Sequence, residues 1–154
     1  MANIASLLKA HLATPERVLY RQFMKGAWRD VSAREIAAYA ACWQAFLRTE
    51  GVARGDRVAL CMKNGIHWVA ADQAALGLGL VVVPLYADDN PENVAWCLKN
   101  SGARLLVAES SRMATALARS YESLARSHHA WRPVAQPVHH RDQFRRPDRP
   151  GGGD

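Results

Sequence analysis

The sequence predicts an α/β fold built on a short parallel sheet. Three apolar runs, Val58–Met62, Leu80–Leu85 and Leu105–Ala108, have the composition of strands that are buried on both faces. Segments with helix caps and helical spacing separate these runs, so crossover helices are expected to join the strands in parallel. After Leu124 the chain loses its core-forming residues, which predicts a layered domain that begins without being finished.

A helix and a hairpin are predicted before the sheet. Val18–Phe23 and Trp28–Val31 flank a tight turn in which Gly26 can adopt a positive φ, and this pattern favours a β-hairpin. The short helix before it ends at Pro15. Four apolar residues share one face of that helix: Ile4, Leu7, Leu8 and Leu12.

The next helix has a defined start and end. Ser32 and Glu35 form a capping box, in which the hydroxyl accepts from the Glu35 backbone N–H and the carboxylate reaches back. Gly51 supplies the C-terminal cap. An apolar stripe faces the core at Ile36, Ala40, Trp43 and Leu47.

The remaining helices alternate with the strands. Asn64 is expected to cap a helix that is apolar nearly all round and therefore buried. Asn90-Pro91 is an N-cap followed by proline at the first helical position, and Gly102 ends that helix. A last helix is predicted over 111–124.

The composition changes at Arg126. The segment 126–154 has no Leu or Ile, contains four of the seven prolines and four of the six histidines, and ends in three glycines. Such a segment cannot bury enough apolar surface to offset its ordering entropy, so we expect it to be disordered. The predicted organisation is a partial domain over 1–125 and a disordered basic tail over 126–154.

Charge and hydropathy exclude several classes of protein. The net charge of +6 divides into +3 for residues 1–125 (14 basic, 11 acidic) and +3 for residues 126–154 (6 basic, 3 acidic). The α/β part is therefore only mildly basic, and no specific nucleic-acid binding is expected. No apolar stretch approaches the roughly 20 residues that span a bilayer, and the N-terminus has no secretion signal. We expect a cytoplasmic protein.

Several residues that suggest chemistry have simpler structural explanations. Cys42, Cys61 and Cys97 form no C-x-x-C pair and are interpreted as small buried hydrophobic residues. Gly77-Leu78-Gly79 follows a helix and precedes a strand, the reverse of a dinucleotide fingerprint, and is interpreted as a turn. Asp88-Asp89 precedes a helix start, where solvated turn residues are expected instead of magnesium ligands.

The other candidates are aromatic or lie in the tail. The pairs His128-His129 and His139-His140 match no structural zinc spacing. Tail arginines give at most salt-sensitive, non-specific binding to nucleic acid, with Trp131 and Phe144 available for stacking; they are Arg141, Arg145, Arg146 and Arg149. Three tryptophans are expected to pack in the core or between layers: Trp43, Trp68 and Trp96. We therefore assign no catalytic, cofactor-binding or metal-binding residue.

From about residue 4 to about residue 124 the chain resembles the N-terminal part of AMP-forming adenylating enzymes, the acyl-CoA synthetase (long-chain fatty acid–CoA ligase type) family. The resemblance implies the incomplete N-terminal subdomain of an adenylate-forming ligase. The residues that carry it are Trp28-Arg29-Asp30-Val31-Ser32, Gly51-Val52, Gly55–Leu60, Asn64, Trp68, Ala71-Asp72, Ala75, Gly77, Gly79, Val83-Pro84-Leu85-Tyr86, Pro91-Glu92 and Ser101–Arg104.

The resemblance implies a two-step reaction for the full-length family. A fatty acid or other carboxylate reacts with ATP and Mg²⁺ to give an acyl adenylate, and coenzyme A then takes the acyl group. In the family the phosphate loop, metal ligand and catalytic lysine lie downstream of the matched region, and no Gly-x-Pro-Lys-Gly sequence occurs here. We expect no cofactor in this fragment and no activity from it alone.

Two further expectations concern the tail and the exposed surface. The Arg, His, Pro and Gly content of the tail is typical of GC-rich DNA that is translated in the wrong reading frame. This composition predicts a frameshifted or truncated gene product. Such a fragment would aggregate through exposed apolar surface unless a separately encoded remainder completed it. The alternative is a non-enzymatic α/β module whose basic tail binds an acidic partner or nucleic acid.

Overall fold

The computed structural model of the chain describes residues 6–124 and 132–135, with side chains described up to residue 120. Ile4 and most of the predicted tail therefore lie outside the described residues. The elements, in chain order, are α1 (Leu7–His11), β1 (Val18–Met24), β2 (Ala27–Ser32), α2 (Ala33–Thr49), β3 (Arg57–Cys61), α3 (Ile66–Gly77), β4 (Val81–Leu85), α4 (Pro91–Ser101), β5 (Leu105–Ala108), α5 (Ser111–Leu124) and β6 (Arg132–Ala135).

Four parallel strands form the central sheet in the order β4-β3-β5-β6. Ala59 of β3 pairs with Val83 on one side and with Leu106 on the other. All four residues from Val58 to Cys61 have an exposed fraction of 1% or less. The predicted α/β class and the three predicted parallel strands are confirmed.

Helices cover both faces of the sheet. On one face, Val58, Leu60, Leu105 and Val107 pack with α2 and α3. On the other face, Ala59, Cys61 and Leu106 pack with α4 and α5. The alternation along β3 therefore sends successive side chains into two separate cores, as expected for a strand buried on both sides.

Small residues allow α3 to pack closely against its neighbours. Ala70, Ala71, Ala74 and Ala75 of this helix are all 1% exposed or less. The Gln44 side chain of α2 donates to the Ala74 carbonyl at 3.4 Å. A Cβ at Gly77 would lie 2.6 Å from Gln44 Nε2, so the absence of a side chain at Gly77 permits this approach.

The predicted hairpin and capping box are both present. Strands β1 and β2 pair antiparallel, with Phe23 opposite Trp28, and the two-residue turn between them has positive φ at Lys25 (51°) and Gly26 (81°). Ser32 Oγ accepts from the Glu35 backbone N–H at 3.3 Å, while Glu35 Oε2 accepts from the Ser32 backbone N–H at 3.0 Å. Asn90 likewise caps α4 as predicted, accepting from the Glu92 N–H at 2.9 Å.

The fourth strand differs from the sequence expectation. Residues 126–154 are expected to be disordered, but Arg132–Ala135 within that segment pairs in parallel with β5, with Val134 opposite Val107. An existing sheet edge supplies the backbone partners that four residues cannot provide for themselves. The rest of the predicted tail, residues 126–131 and 136–154, lies outside the described residues.

The N-cap residue of α3 differs from the predicted one. Asn64 was expected to be the N-cap, but the helix begins at Ile66 with Gly65 before it and no side-chain cap from that residue. Instead the Ile66 N–H donates to Gln22 Oε1 of β1 at 3.0 Å. A Cβ at Gly65 would lie 3.2 Å from Gln22 Nε2, so this glycine makes room for a cap that comes from the hairpin.

Two predicted buried side chains are exposed. Trp96 was expected to pack in the core, but 60% of its surface is exposed on α4, whereas Trp43 is 8% exposed and Trp68 packs against the core. Cys42 lies on the exposed side of α2, Cys97 is half-buried, and Cys61 is buried. Trp96 and Cys42 are each next in sequence to a core position. Because adjacent residues point in different directions around a helix, each of these two side chains faces solvent.

Proline lies on the open edge of β4. The Val81 N–H donates to the Asp56 carbonyl at 2.9 Å, on the β3 side of the strand. Backbone groups alternate in direction along a strand, so the position of Pro84 faces the side on which β4 has no strand partner among the described residues. The open edge therefore lacks one N–H donor, which weakens it as a template for strand pairing.

Gln22→Ala is expected to destabilise the chain by about 1 kcal/mol, because the substitution leaves the first N–H of α3 without its side-chain acceptor. Gln22→Glu retains an acceptor oxygen and adds a negative charge at a helix N-terminus, so it should keep most of the stability. Urea unfolding followed by circular dichroism measures both variants. Equal stability of Gln22→Ala and the parent would show that the hairpin does not cap α3.

Candidate functional site

The sheet order identifies one crevice as the candidate site. The chain leaves β4, passes through α4, and returns as β5 on the opposite side of β3. The direction of the crossovers therefore changes between β3 and β5. In open α/β sheets, ligands bind at the carboxyl ends of the strands at such a switch point. Here those ends are Cys61 and Ala108.

Hydrogen bonds join the loops that follow β3 and β5. The Glu109 N–H donates to the Cys61 carbonyl at 3.1 Å, and Glu109 Oε2 accepts from the Lys63 backbone N–H at 3.4 Å. The Glu109 side chain is half-buried, whereas Lys63 is exposed. The Glu109 carboxylate therefore joins the loop after β3 to the end of β5.

The loop after β4 lies on the other side of β3. The Tyr86 carbonyl accepts from Cys61 Sγ at 3.6 Å, and the Tyr86 residue is 84% exposed. Asp89 Oδ1 accepts from the Asn90 N–H at 2.7 Å and from Asn93 Nδ2 at 3.2 Å. Asp88 and Asp89 are exposed turn residues before α4, in agreement with their sequence interpretation.

Cys61 lies at the base of the crevice as a protonated thiol. Burial, followed by the negative charges of Asp89 and Glu109, raises the pKa of Cys61 to about 11. A thiol with this pKa is almost entirely uncharged at neutral pH, and the thiolate is the form that acts as a nucleophile or metal ligand. The geometry therefore supports the structural interpretation of Cys61.

The carboxyl edge of the sheet carries more negative than positive charge. Asp88, Asp89, Glu109 and Glu92, the last in the first turn of α4, contribute four carboxylates, while Lys63 and Arg112, the latter in the first turn of α5, contribute two positive charges. Among the described residues, no group of three or more His, Cys, Asp and Glu side chains is arranged to hold a metal ion. The paired histidines and the four tail arginines named above, Arg141, Arg145, Arg146 and Arg149, lie outside the described residues.

The glycine pair and the hydrogen bonds of Arg57 lie at the opposite edge of the sheet, where the strands begin. Gly79 has φ of 75° in the turn between α3 and β4, so Gly77-Leu78-Gly79 forms the predicted helix-to-strand connection. Arg57 Nε and Nη2 donate to the carbonyls of Ser101 and Gly102 at 3.0 and 3.1 Å, at the C-terminus of α4. These groups hold the fold together and are remote from the candidate crevice.

Tyr86 and Glu109 were not predicted from the sequence as residues of the site. Each directly follows a predicted strand, Tyr86 after β4 and Glu109 after β5. Because the carboxyl ends of parallel strands meet at one edge, the residues after each apolar run could have been grouped before the structure was examined. The strand order, which places β3 between β4 and β5, could not be obtained from the apolar runs alone.

The three cysteines are expected to react with a thiol reagent at very different rates. At pH 8 a thiol of pKa about 11 is about 0.1% thiolate, and Cys61 is in addition 1% exposed. Iodoacetamide labelling followed by mass spectrometry should modify the exposed Cys42 at least about a hundredfold faster than Cys61. In urea both should react at similar rates; rapid labelling of Cys61 in the folded chain would contradict the assigned burial.

Comparison with known proteins identifies the family that this chain matches. The AMP-binding enzyme family matches residues 9–149. The long-chain-fatty-acid–CoA ligase FadD15 of Mycobacterium tuberculosis is 34% identical over 117 residues, covering 75% of this chain and 20% of that protein. The 2-succinylbenzoate–CoA ligase of Geobacillus kaustophilus is 34% identical over 96 residues, covering 62% of this chain and 19% of the relative. The chain thus spans about one fifth of the length of the curated relatives it matches.

Solved structures show the same fold. VinN in complex with 3-methylaspartate superposes with a TM-score of 0.74 at 22% identity, covering 87% of this chain and 34% of that chain. The N-terminal subdomain of NpsA from Klebsiella oxytoca superposes with a TM-score of 0.64 at 19% identity, covering 72% of this chain and 28% of that one. Among the described residues, no helix has the length and apolar character needed to cross a membrane. The family match and the shared architecture establish that this chain belongs to the AMP-binding enzyme family and corresponds to an N-terminal portion of an adenylate-forming ligase.

Proposed function

We propose that this chain supplies the N-terminal scaffold of an AMP-forming acid–thiol ligase and does not adenylate a carboxylate by itself. The observation that carries this proposal is the composition of the crevice between β3 and β5. Among the described residues it holds one protonated thiol, a carboxylate that holds a loop, and a carboxylate that orders the start of α4. The thiol is uncharged and the two carboxylates position backbone, so none of these three groups is available to polarise a carboxyl group.

The described residues do not fit a bound nucleotide triphosphate. Triphosphate sites use glycine-rich loops, backbone N–H groups and a lysine to balance the negative charge. The carboxyl edge here presents four carboxylates, Asp88, Asp89, Glu92 and Glu109, against Lys63 and Arg112. This balance disfavours a polyphosphate, and the Asp89 carboxylate is already engaged by Asn90 and Asn93. ATP, Mg²⁺ and coenzyme A are therefore proposed as cofactors of the whole ligase, bound outside this portion.

The proposed reaction of the whole ligase has two steps. A carboxylate oxygen attacks the α-phosphorus of ATP, which forms an acyl adenylate and releases pyrophosphate. The thiol of coenzyme A then attacks the acyl carbonyl, loses its proton and displaces AMP. We propose a long-chain fatty acid as the carboxylate, on the basis of the 34% identity to FadD15 over 117 residues. The similarity to a 2-succinylbenzoate–CoA ligase makes an aromatic acid the second candidate.

Three expectations stay predictions. The alternative of a non-enzymatic module rests on the basic tail, most of which lies outside the described residues. Frameshifting is tested by the DNA that follows the coding sequence, where a phosphate loop in another frame would support it. Strand β6 pairs with β5 in the sheet. This pairing weighs against a change of reading frame as early as Arg126. The cytoplasmic location is tested by cell fractionation.

Purified chain is expected to release no pyrophosphate above background when it is supplied with ATP, Mg²⁺, coenzyme A and either a fatty acid or 2-succinylbenzoate. The physical reason is that the described groups at the carboxyl edge offer no glycine-rich cation cradle for the phosphates, while the carboxylates of Glu109 and Asp89 hold backbone N–H groups. A coupled pyrophosphate assay, with the M. tuberculosis relative as positive control, makes the measurement.

Acid-dependent release that survives further purification would overturn the proposal that this portion is inactive alone. Glu109→Ala is the internal control for that result. A true site in the crevice would lose turnover in this variant, because Glu109 holds the loop after β3 through the Lys63 backbone N–H, whereas turnover by a contaminating ligase would be unchanged.

A further inference from the structure

Asn64 and Gly65 form an Asn-Gly pair in the loop between β3 and α3. Asn64 is exposed, lies outside every described helix and strand, and does not cap α3. Among the described residues, neither the Asn64 side chain nor the Gly65 backbone N–H forms a hydrogen bond. The side-chain amide of Asn64 and the backbone nitrogen that follows it are therefore both available to react with each other.

The packing of the hairpin favours glycine directly after Asn64. A Cβ at Gly65 would lie 3.2 Å from Gln22 Nε2, in the space where the Gln22 side chain reaches α3. Attack of a backbone nitrogen on the preceding asparagine side chain is least hindered when the attacking residue has no Cβ. The fold therefore places the least hindered residue beside an exposed asparagine, which is one of the thermolabile residue types.

The other asparagines among the described residues lack this combination. Asn90 precedes Pro91, which has no N–H and whose nitrogen is already fully substituted. Asn93 lies within α4, and the N–H of the following Val94 donates to the Asn90 carbonyl at 3.1 Å. Asn100 also lies within α4. These three residues serve as internal references in the same chain.

We propose that Asn64-Gly65 is a site of spontaneous covalent modification, at which Asn64 is converted to aspartate and isoaspartate. The Gly65 nitrogen loses its proton to solvent base and attacks Asn64 Cγ, so that an N–C bond forms. The Cγ–Nδ2 bond breaks, ammonia leaves and a cyclic succinimide remains. Water then opens one of the two imide bonds, which gives either aspartate or an isoaspartate whose main chain passes through Cγ. Water is the only co-reactant, and this chemistry does not require the proposed ligase function.

Backbone contacts on both sides of the pair make the loop sensitive to the modification. The Lys63 N–H donates to Glu109 Oε2 at 3.4 Å, and the Ile66 N–H donates to Gln22 Oε1 at 3.0 Å. Isoaspartate adds one carbon to the main chain between these two hydrogen bonds, and both products add a carboxylate. Isoaspartate is therefore expected to weaken the Gln22 cap of α3, and either product makes the carboxyl edge of the sheet more negative.

The test is incubation of the purified 154-residue chain in mildly alkaline buffer made with heavy-oxygen water, followed by peptide mapping with mass spectrometry. Heavy oxygen enters residue 64 only when the succinimide opens during the incubation, so conversion during the later digestion is not counted. Asn64 should convert at least about tenfold faster than Asn93 or Asn100, because each of these two must first be released from α4. Electron-transfer fragmentation distinguishes isoaspartate from aspartate.

Asn64→Gln should abolish the modification at residue 64, because it keeps the side-chain amide but would have to close a larger ring. Asn100→Gln is the matched control and should leave conversion of Asn64 unchanged. Unchanged circular dichroism shows that each variant is folded. Conversion of Asn64 no faster than that of Asn93 would overturn the proposal. Conversion more than about a hundredfold slower in the folded chain than in urea would also overturn it, because the folded loop would then protect the pair.

The structural consequence has a separate measurement. The isolated isoaspartate form should have a lower urea midpoint than the unmodified chain, and Gln22→Ala should reduce the difference, because this variant has already lost the cap of α3. Equal midpoints for the modified and unmodified chains would contradict the expected loss of the cap.

Discussion

The fold depends on the complete desolvation of β3. This strand has neighbours on both edges and helices over both faces, and the exposed fraction of its residues from Val58 to Cys61 is 1% or less. These four residues can include no unpaired backbone group and no charged side chain, and the one charged residue of the strand, Arg57, is exposed at its start. The alanine-rich α3, the order of the strands and the position of the crevice all follow from covering this one strand.

The sequence predicted the elements that depend on local chemistry. The hairpin turn, the Ser32–Glu35 capping box and the Asn90 cap were predicted because each is defined by residues a few positions apart. The cap of α3 was not, because Gln22 is 44 residues from Ile66 and reaches it only after the hairpin has packed. Strand β6 was missed for the same reason: its stabilisation comes from the edge of β5 and not from its own composition.

The candidate site was predictable in part. Apolar runs identified the strands whose carboxyl ends meet, but their order in the sheet determines that β3 and β5 flank the switch point. At that point burial, followed by the charges of Asp89 and Glu109, raises the pKa of Cys61. Both carboxylates are hydrogen-bonded to backbone or to Asn93. Perturbed pKa values often mark catalytic groups, yet here the shift has the direction that removes reactivity. The direction of the shift, and not its existence, separates a structural thiol from a catalytic one.

The proline in β4 has a consequence for self-association. Fibrillar growth by cross-β stacking requires an uninterrupted series of donors and acceptors along the exposed ribbon. Pro84 interrupts that series at the fourth position of a five-residue strand of otherwise aliphatic side chains. Association through the β4 edge in concentrated solution should therefore proceed through side-chain contacts, without the ordered strand propagation that seeds amyloid.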